Sequence, residues 1–438
     1  MIQRFTVALT APLVLALAQQ QLLVRMPPRL HGLEPAAASA GPAALRARFS
    51  RPMEVEAVAA ASGLSPALPH RWLGDGSSLS LGLTGQGSVG GPLTLRIGGR
   101  DQRGQSLTAS TWVWDPRGRA LAVVPSAAGE RLELRDHDGR WWPISPAWPR
   151  LLAIEPLGDG SGVAVVSADA TGSQQAWRIG LQQFNLVPPA RAGRPPRAAV
   201  PQRLGPGNRL FIHLSSDRRG QLLVQSGGGR PGSERTELWP RQGLPRSLNL
   251  QAAGPLRLLP EGGAVVMPEA EGLSLRALPP RAPWPQRLPG SRDLSSFCPQ
   301  AGRALLLRHW PDYRRSLELV EPGMAPRQLW IGSQAVLASS CERGGQRVWV
   351  LLVEATGQQR LSLLALDRRG RELARRHLDG WQLEPDTGLA FDPASGSLLT
   401  SLRRAQAPVG EAVLIQADTL EIRGLGRPAR QTAWLPPG

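Results

Sequence analysis

Short apolar runs, separated by turn residues, recur through the last three quarters of the chain. One run, residues 120–124, follows the turn 115–118, and another, residues 348–353, follows residues 341–345. Each run is followed by a polar gap and an L-x-L segment, and often by a D-x-x-G-R turn such as residues 367–371. Short apolar segments between turns are typical of strands, and no amphipathic stretch of helical length interrupts them. The pattern therefore predicts an all-β fold with many short strands.

The spacing of this pattern restricts the architecture further. Seven units begin near residues 112, 151, 206, 250, 293, 336 and 386. Most spacings are close to the 40–45 residues, roughly, that the four strands of a propeller blade occupy. A closed ring of blades leaves no exposed sheet edge, which explains how so many strands stay soluble. We therefore expect residues 111–438 to form a β-propeller, with seven blades favoured and six or eight left open. The units resemble the degenerate WD-repeat-like propellers of exported bacterial proteins, such as those of the Tol translocation system.

A smaller β domain is predicted before the repeats. Apolar and polar residues alternate in segments 45–49, 79–83 and 93–97, and Gly-rich turns separate these segments. Strands at this spacing over roughly eighty residues favour a β-sandwich. The segment F-S-R-P-M at residues 49–53 resembles a strand end of bacterial immunoglobulin-like domains, and Trp72 and the D-x-x-G turn at 101–104 lie where that family has them. The resemblance implies an Ig-like spacer or adhesion module over residues 28–110, without catalytic residues.

The N-terminus has the layout of a secretory signal peptide. A basic start at residues 1–4 precedes an apolar run at 5–18, which ends in an A-x-A pattern. Three glutamines at 19–21 then interrupt the apolarity. These features predict a cleaved signal over residues 1–18, with an uncleaved membrane anchor to about residue 24 as the alternative. We expect an exported protein that is periplasmic, cell-surface or secreted, and a thylakoid-lumen-like compartment is left open.

The two cysteines, Cys298 and Cys341, occupy the same position in consecutive units. In an exported protein this position predicts a disulfide between neighbouring blades, because equivalent inner positions are close enough to be bridged. Two small, buried, unbonded residues are the alternative. Neither a C-x-x-C pair nor a Cys/His cluster of zinc spacing occurs, so we expect no metal and no cofactor.

The net charge is +17, and all 51 basic residues are arginines, a bias that a GC-rich genome would produce. One stretch stands out, because no carboxylate occurs between Asp169 and Asp217. Prolines there alternate with arginines that could grip a polyanion or an acidic protein face. A solvated loop is the alternative. The candidate contacts with an anionic partner are Arg191, Arg194, Arg197 and Arg203.

No catalytic motif is visible, so the sequence predicts a binding or scaffold protein and not an enzyme. Its propeller face would hold a protein or an anionic polymer of the cell envelope, rather than a nucleic acid. A membrane would be contacted only through an uncleaved N-terminal segment, and the oligomeric state is left open. The alternative is a lyase or glycan hydrolase with its site in the central channel. That alternative requires carboxylates, His or Arg to converge at one mouth of the channel with perturbed titration.

Overall fold

The computed structural model describes residues 26–38, 41–85, 87–230, 232–279, 286–299, 302–354 and 360–437, so the predicted signal segment 1–18 lies outside the described residues. The chain divides into two units. The first takes in the described residues up to 85 together with 91–115 and 186–192, and the second contains 87–90, 116–185 and the described residues from 193 onward. The first unit thus continues to Asp115, beyond the expected end at residue 110, and includes a segment from inside the predicted propeller. In the part of the chain that the structure describes, no helix is long and apolar enough to cross a membrane.

The described residues of the first unit form two antiparallel four-stranded sheets and one short α-helix, α1 (Val55–Ala61). The strands of one sheet, in spatial order, are β1 (Leu30–Ala36), β2 (Ala44–Phe49), β5 (Ser78–Leu83) and β4 (His70–Asp75). The strands of the other are β14 (Leu186–Val187), β7 (Ser110–Trp114), β6 (Leu93–Ile97) and β3 (Gly63–Ser65). Strands β2, β5 and β6 bury every second side chain, as the alternation in the sequence predicts. The short 3-10 helix Pro189–Arg191 follows β14.

The described residues of the second unit form seven antiparallel sheets of four or five strands, which we number in chain order. Sheet 1 contains β8 (Arg119–Ser126), β9 (Gly129–Arg135), β10 (Trp141–Pro143) and β38 (Thr432–Leu435). Sheet 2 contains β11 (Arg150–Pro156), β12 (Gly162–Ala168), β13 (Gln174–Gln182), β15 (Arg197–Ala198) and β16 (Gln202–Arg209). Sheet 3 contains β17 (Phe211–Ser216), β18 (Leu222–Gly227), β19 (Arg235–Trp239) and β20 (Arg246–Leu248).

The remaining four sheets follow the same plan. Sheet 4 contains β21 (Arg257–Leu258), β22 (Ala264–Glu269), β23 (Gly272–Ala277) and β24 (Gln286–Pro289). Sheet 5 contains β25 (Arg292–Phe297), β26 (Ala304–His309), β27 (Arg315–Val320) and β28 (Arg327–Gly332). Sheet 6 contains β29 (Ala335–Cys341), β30 (Arg347–Glu354), β31 (Arg360–Asp367) and β32 (Glu372–His377), with a 3-10 turn at Arg343–Gly345. Sheet 7 contains β33 (Trp381–Leu383), β34 (Ala390–Asp392), β35 (Ser397–Arg404), β36 (Glu411–Gln416) and β37 (Ile422–Pro428).

Sheet 1 is completed by a strand from the other end of the second unit. Strand β38 pairs antiparallel with β8, with Thr432 opposite Ala122 and Leu435 opposite Arg119. We call β38, β11, β17, β21, β25, β29 and β34 the inner strands. Strand β38 contacts both β11 and β34, and β11 contacts β17, which in turn contacts β21. Strand β25 contacts β29, and β29 contacts β34, so on both sides of the step from β21 to β25 the inner strands follow one another as in a β-propeller.

The apolar runs are buried on both faces where a sheet is packed between two others. In β12, Val163 and Val165 pack in a cluster with residues of sheet 1, whereas Ala164 and Val166 pack with residues of sheet 3. Such clusters join sheet 1 to 2, 2 to 3, 3 to 4, 5 to 6, 6 to 7 and 7 to 1. A strand with two buried faces has a continuous run of apolar residues, without alternating polar ones. This explains the apolar runs in the sequence.

The D-x-x-G turns are closed by their aspartate. In the turn after β31, Asp367 Oδ1 accepts main-chain hydrogen bonds from Arg369 (2.8 Å) and Arg371 (2.9 Å). The glycine Gly370 has a φ of 84°, a conformation that costs least without a Cβ. The same pair of bonds forms at Asp217, from Arg219 and Gln221. The motif is therefore a structural feature of the hairpins.

Several arginines neutralise buried glutamates between neighbouring sheets. Glu133 of sheet 1 is fully buried, and its Oε2 accepts a 2.7 Å bond from Nε of Arg427, which lies in sheet 7. Glu321, beyond the end of β27, accepts a 2.6 Å bond from Arg368 of sheet 6. Part of the arginine content thus has a structural role, because a buried carboxylate needs a paired counterion.

Candidate active site

A cavity of about 210 Å³ lies where four successive inner strands end, at β11, β17, β21 and β25. All four strands run in the same direction through their sheets, so their C-terminal ends meet on one side of the second unit. The residues that line the cavity include a single carboxyl group, one guanidinium and a set of hydroxyls. They are Glu155, Ser215, Ser216, Arg257, Leu258, Pro260, Leu294, Ser295, Ser296 and Phe297.

Glu155 supplies the carboxyl group of this cavity. It is the last residue but one of β11, and its Oε1 accepts a 2.7 Å hydrogen bond from the main-chain amide of Ser216 in the next sheet. Although Glu155 is partly accessible as a residue, its carboxyl group lies deep among protein atoms, and burial raises its pKa above the usual range. The Arg257 guanidinium and the Ser216 amide lower this pKa, but burial outweighs them. A carboxyl group with a raised pKa holds its proton more strongly than an exposed glutamate does, which suits a group that accepts a proton and returns it.

Arg257 carries the positive charge of the cavity. It begins β21, is exposed, and donates from Nη1 to the carbonyl oxygen of Leu214 at 3.4 Å. The same guanidinium lowers the pKa of His213 on β17, an effect second to that of burial, so the imidazole stays neutral at pH 7. Arg257 therefore presents a fixed positive charge to an anionic group that enters the cavity.

Hydroxyl groups line the part of the cavity that sheet 5 contributes. Ser295 and Ser296 of β25 both lie within hydrogen-bond distance of the hydroxyl of Ser339 on β29, at 2.7 and 3.1 Å. The hydroxyl of Ser215 is engaged by the main-chain amide of Leu258 at 2.9 Å. Hydroxyls suit a polar, hydroxyl-rich ligand, because each can donate and accept hydrogen bonds.

The two cysteines are joined beside the cavity. Cys298 follows β25, Cys341 ends β29, and a disulfide links them with their Cα atoms 5.2 Å apart. Both residues are buried in the apolar cluster between sheets 5 and 6. The bond thus links adjacent inner strands, and the cysteines take no part in the cavity.

The four candidate arginines of the acid-free stretch do not belong to one unit. Arg191 ends the 3-10 helix of the first unit, whereas Arg194, Arg197 and Arg203 belong to the second. All four are exposed. Arg203 on β16 donates from Nε to Gln175 Oε1 at 2.6 Å. In the described residues no group of three or more His, Cys, Asp or Glu could hold a metal ion.

The residues of the cavity are isolated in the sequence, and no motif identifies them. Glu155, Ser216 and Leu258 come from three different repeat units, with turns and strands between them. Their one common signal is register, since each stands at or next to the end of the first strand of its unit. Aligning the units on that position would have placed them at the same end of their inner strands.

Comparisons with known proteins give similar folds but no family. No protein-family model matches the chain, and no curated protein matches it. Among solved structures, TolB from Acinetobacter baumannii is 12% identical, with 81% of each chain covered and a TM-score of 0.42. The periplasmic gluconolactonase PpgL of Pseudomonas aeruginosa is 15% identical over 73% of this chain and 99% of its own, with a TM-score of 0.44. A puromycin hydrolase is 15% identical over 78% of this chain and 53% of its own, with a TM-score of 0.43.

The prediction that the chain is not an enzyme is wrong, because two of these three similar structures are named as enzymes. That prediction depended on the lack of a local motif. In this fold, ionisable residues from separate units can meet without any motif, as Glu155 and Arg257 do.

Proposed function

We propose that the chain is an exported enzyme that performs acid–base chemistry on an anionic glycan at the cavity of Glu155 and Arg257. The observation that carries the proposal is the buried Glu155 carboxyl, whose pKa is raised, in a cavity that also holds a guanidinium and several hydroxyls. A carboxyl group with a shifted pKa in such a cavity is a recognised mark of an active site. The guanidinium selects a substrate that carries a carboxylate.

Of the two reaction classes that the sequence left open, the cavity favours a lyase. Glycan hydrolases generally use two carboxyl groups on either side of the scissile bond. Glu155 is the single carboxyl group among the described residues that line this cavity. Elimination needs one proton acceptor and a positive charge beside the substrate carboxylate, and the cavity supplies both.

In the proposed step, ionised Glu155 takes the proton from the carbon next to the carboxylate of a uronate residue. The electron pair forms a carbon–carbon double bond with the neighbouring carbon, whose bond to the glycosidic oxygen breaks. The leaving oxygen takes the proton back from Glu155, so no water or oxidant is consumed. Arg257 binds the substrate carboxylate and stabilises the negative charge that builds on it during proton transfer.

The surrounding architecture is part of the proposal. The second unit is a propeller of seven blades, which β38 closes by completing sheet 1; the contacts between inner strands and the cluster between sheets 7 and 1 support this. The first unit is an Ig-like module, which its two small antiparallel sheets support. The disulfide and the N-terminal pattern of basic, apolar and A-x-A segments support a periplasmic or other exported location. Arg194, Arg197 and Arg203 would contact the same anionic polymer.

The test is a direct assay of elimination. The purified chain is incubated with polygalacturonate, alginate or hyaluronan, and the ultraviolet absorbance of unsaturated uronate ends is followed. We expect double bonds to form on at least one polymer. Glu155→Gln should lower the rate by about 10²-fold or more, because it removes the proton acceptor while keeping the shape of the side chain. Arg257→Gln should raise KM, because the substrate carboxylate loses its partner.

Glu372→Gln is the matched control, because Glu372 is an exposed glutamate of sheet 6, outside the cavity. It should leave the rate unchanged. New reducing ends without double bonds would show hydrolysis instead of elimination. If no polymer is cleaved but one is retained by the immobilised chain, and Glu155→Gln retains it equally well, the chain is a binding scaffold.

A further inference from the structure

A second cavity, of about 270 Å³, opens at the other end of β11 from Glu155. Trp148, which precedes β11, and Trp177 of β13 form one wall, and their ring centroids are 5.8 Å apart at an angle of 33°. Arg203 and Asn208 of β16 and Asp169 also line the cavity, and Arg203 pairs directly with Trp177 across β16 and β13. We propose that this cleft binds one pyranose residue of a glycan chain, as a site separate from the catalytic cavity.

The aromatic wall is held in place by hydrogen bonds. Trp177 Nε1 donates to Ser167 Oγ at 2.9 Å. The main chain of Trp148 exchanges two hydrogen bonds with Glu130, at 2.7 and 2.8 Å. Both rings pack against the apolar cluster between sheets 1 and 2, yet both remain partly exposed and line the cavity. Two fixed, tilted rings offer apolar faces on which the C–H face of a sugar can stack at little entropic cost.

Strand β16, next to Trp177, supplies polar groups of the kind that recognise sugar hydroxyls. Arg203 Nε donates to Gln175 Oε1 at 2.6 Å, which fixes the guanidinium beside the cleft. Gly207 leaves room for this arrangement, because a Cβ at that position would come too close to the Arg203 guanidinium and displace it. Asn208 has a φ of 59° and accepts a weak bond, 3.4 Å long, from Ser173 Oγ. Planar amide and guanidinium groups can each contact two neighbouring hydroxyls, and such groups beside an aromatic wall give orientation and specificity.

The volume of the cleft limits its ligand. Small-molecule pockets usually measure about 300–1,000 Å³, so this cleft is at the lower end and suits one sugar ring of a longer chain. Strand β11 has seven residues and separates the cleft from the catalytic cavity by roughly 20 Å. A glycan held at the cleft is therefore bound independently of the chemistry at Glu155, and loss of one site does not imply loss of the other.

The test measures binding by isothermal titration calorimetry with three trisaccharides: cellotriose, triacetylchitotriose and trigalacturonate. We expect at least one to bind the wild-type chain. Trp148→Ala should weaken that binding about tenfold or more, because it removes half of the aromatic wall. Asn208→Gly should also weaken it, and this variant keeps the fold, because glycine accepts the positive φ of the position. The Glu155→Gln variant should bind as the wild type does.

Trp142→Ala is the matched control. Trp142 is a partly buried tryptophan of sheet 1 that donates to Asp136 Oδ2 at 2.7 Å and does not line the cleft. It should leave the dissociation constant unchanged. The proposal is overturned if none of the three trisaccharides binds at millimolar concentration. It is also overturned if binding is unchanged in both Trp148→Ala and Asn208→Gly, or if Glu155→Gln alone abolishes it.

Discussion

The carboxylate of Asp392 accepts a hydrogen bond from the main-chain amide of Gly118 at 3.2 Å, although the two residues are 274 positions apart. Asp392 ends β34 in sheet 7, and Gly118 immediately precedes β8 in sheet 1. Beside them, Trp434 of β38 donates from Nε1 to the carbonyl of Ala390 at 3.0 Å. The first and last sheets of the second unit are therefore joined by side-chain hydrogen bonds as well as by the chain that runs from β37 of sheet 7 into β38 of sheet 1.

We predict that Asp392→Ala lowers the free energy of unfolding by about 1–3 kcal/mol, because the Gly118 and Ser395 amides lose their acceptor. Asp392→Asn keeps a carbonyl oxygen in place and should cost less. Burial raises the pKa of Asp392, so the folded chain holds a proton that the unfolded chain has lost. Stability should therefore fall as pH rises from the usual aspartate range to the raised pKa, and the Asn variant should lack this fall.

Urea denaturation between pH 4 and pH 9 measures both effects. Asp379→Asn is the control, because Asp379 is exposed and precedes the same sheet. Equal losses for the Ala and Asn variants would contradict the assigned hydrogen bonds.

Arg427→Met should destabilise the second unit by about 3 kcal/mol or more, because it leaves the fully buried Glu133 without one of its two counterions. Adding Glu133→Leu to the same chain should recover most of the loss. Thermal unfolding of the single and double variants tests this. Arg371→Met is the matched control, since its partner Asp367 forms an exposed pair that should contribute less than about 1 kcal/mol. A double variant no more stable than Arg427→Met would refute the role of the pair.

The disulfide should stabilise the second unit by about 2–4 kcal/mol, because it closes a loop between residues 43 positions apart and so restricts the unfolded chain. Replacing both Cys298 and Cys341 by alanine should lower the urea midpoint by the corresponding amount. Reduction of the wild type should lower it similarly. Peptide mapping under non-reducing conditions should find the two cysteine peptides linked, and two alkylatable thiols in the exported chain would argue against the bond.

Arg257→Gln should raise the pKa of Glu155 further, because the guanidinium is the leading influence that opposes burial. Carbon-13 NMR of labelled glutamate side chains can follow this titration, with Glu155→Gln assigning the signal. Arg369→Gln should leave it unchanged, since Arg369 is exposed on the turn after β31. If the pKa of Glu155 stayed the same or fell in Arg257→Gln, Arg257 would not interact with Glu155 as proposed.

Some of the repeat boundaries could be read from the sequence, because turn residues precede an apolar run there, whereas the predicted starts at 206 and 250 fall five and seven residues before β17 and β21. The predicted starts at 151, 293 and 336 fall one residue from the observed first residues of β11, β25 and β29. Strand β14 could not be predicted, because a two-residue segment has no periodicity and its pairing with β7 depends on tertiary contact. The pairing of β38 with β8 could not be predicted either, because a four-residue strand does not specify a partner that is so far away in the sequence.

The candidate site could be predicted from the sequence less well than the fold. The cysteines and the acid-free stretch draw attention by rarity of composition, yet the cavity contains none of them. Glu155 and Arg257 are ordinary residues in the sequence, and their significance comes from burial and from the strand ends that the fold brings together. A shifted pKa and a cavity both arise from tertiary packing. Local sequence patterns predict the strands that pack, but they do not predict which side chains meet between them.

Strand β38 also sets an order of events during biogenesis. A chain that emerges N-terminus first presents β8 long before residues 432–435 are available to pair with it. Until then β8 has an unpaired edge, which is the kind of strand that captures foreign chains. A cell that makes this protein must therefore shield that edge through synthesis and transport, and a chain stalled before its final strand would be prone to aggregate rather than partly active.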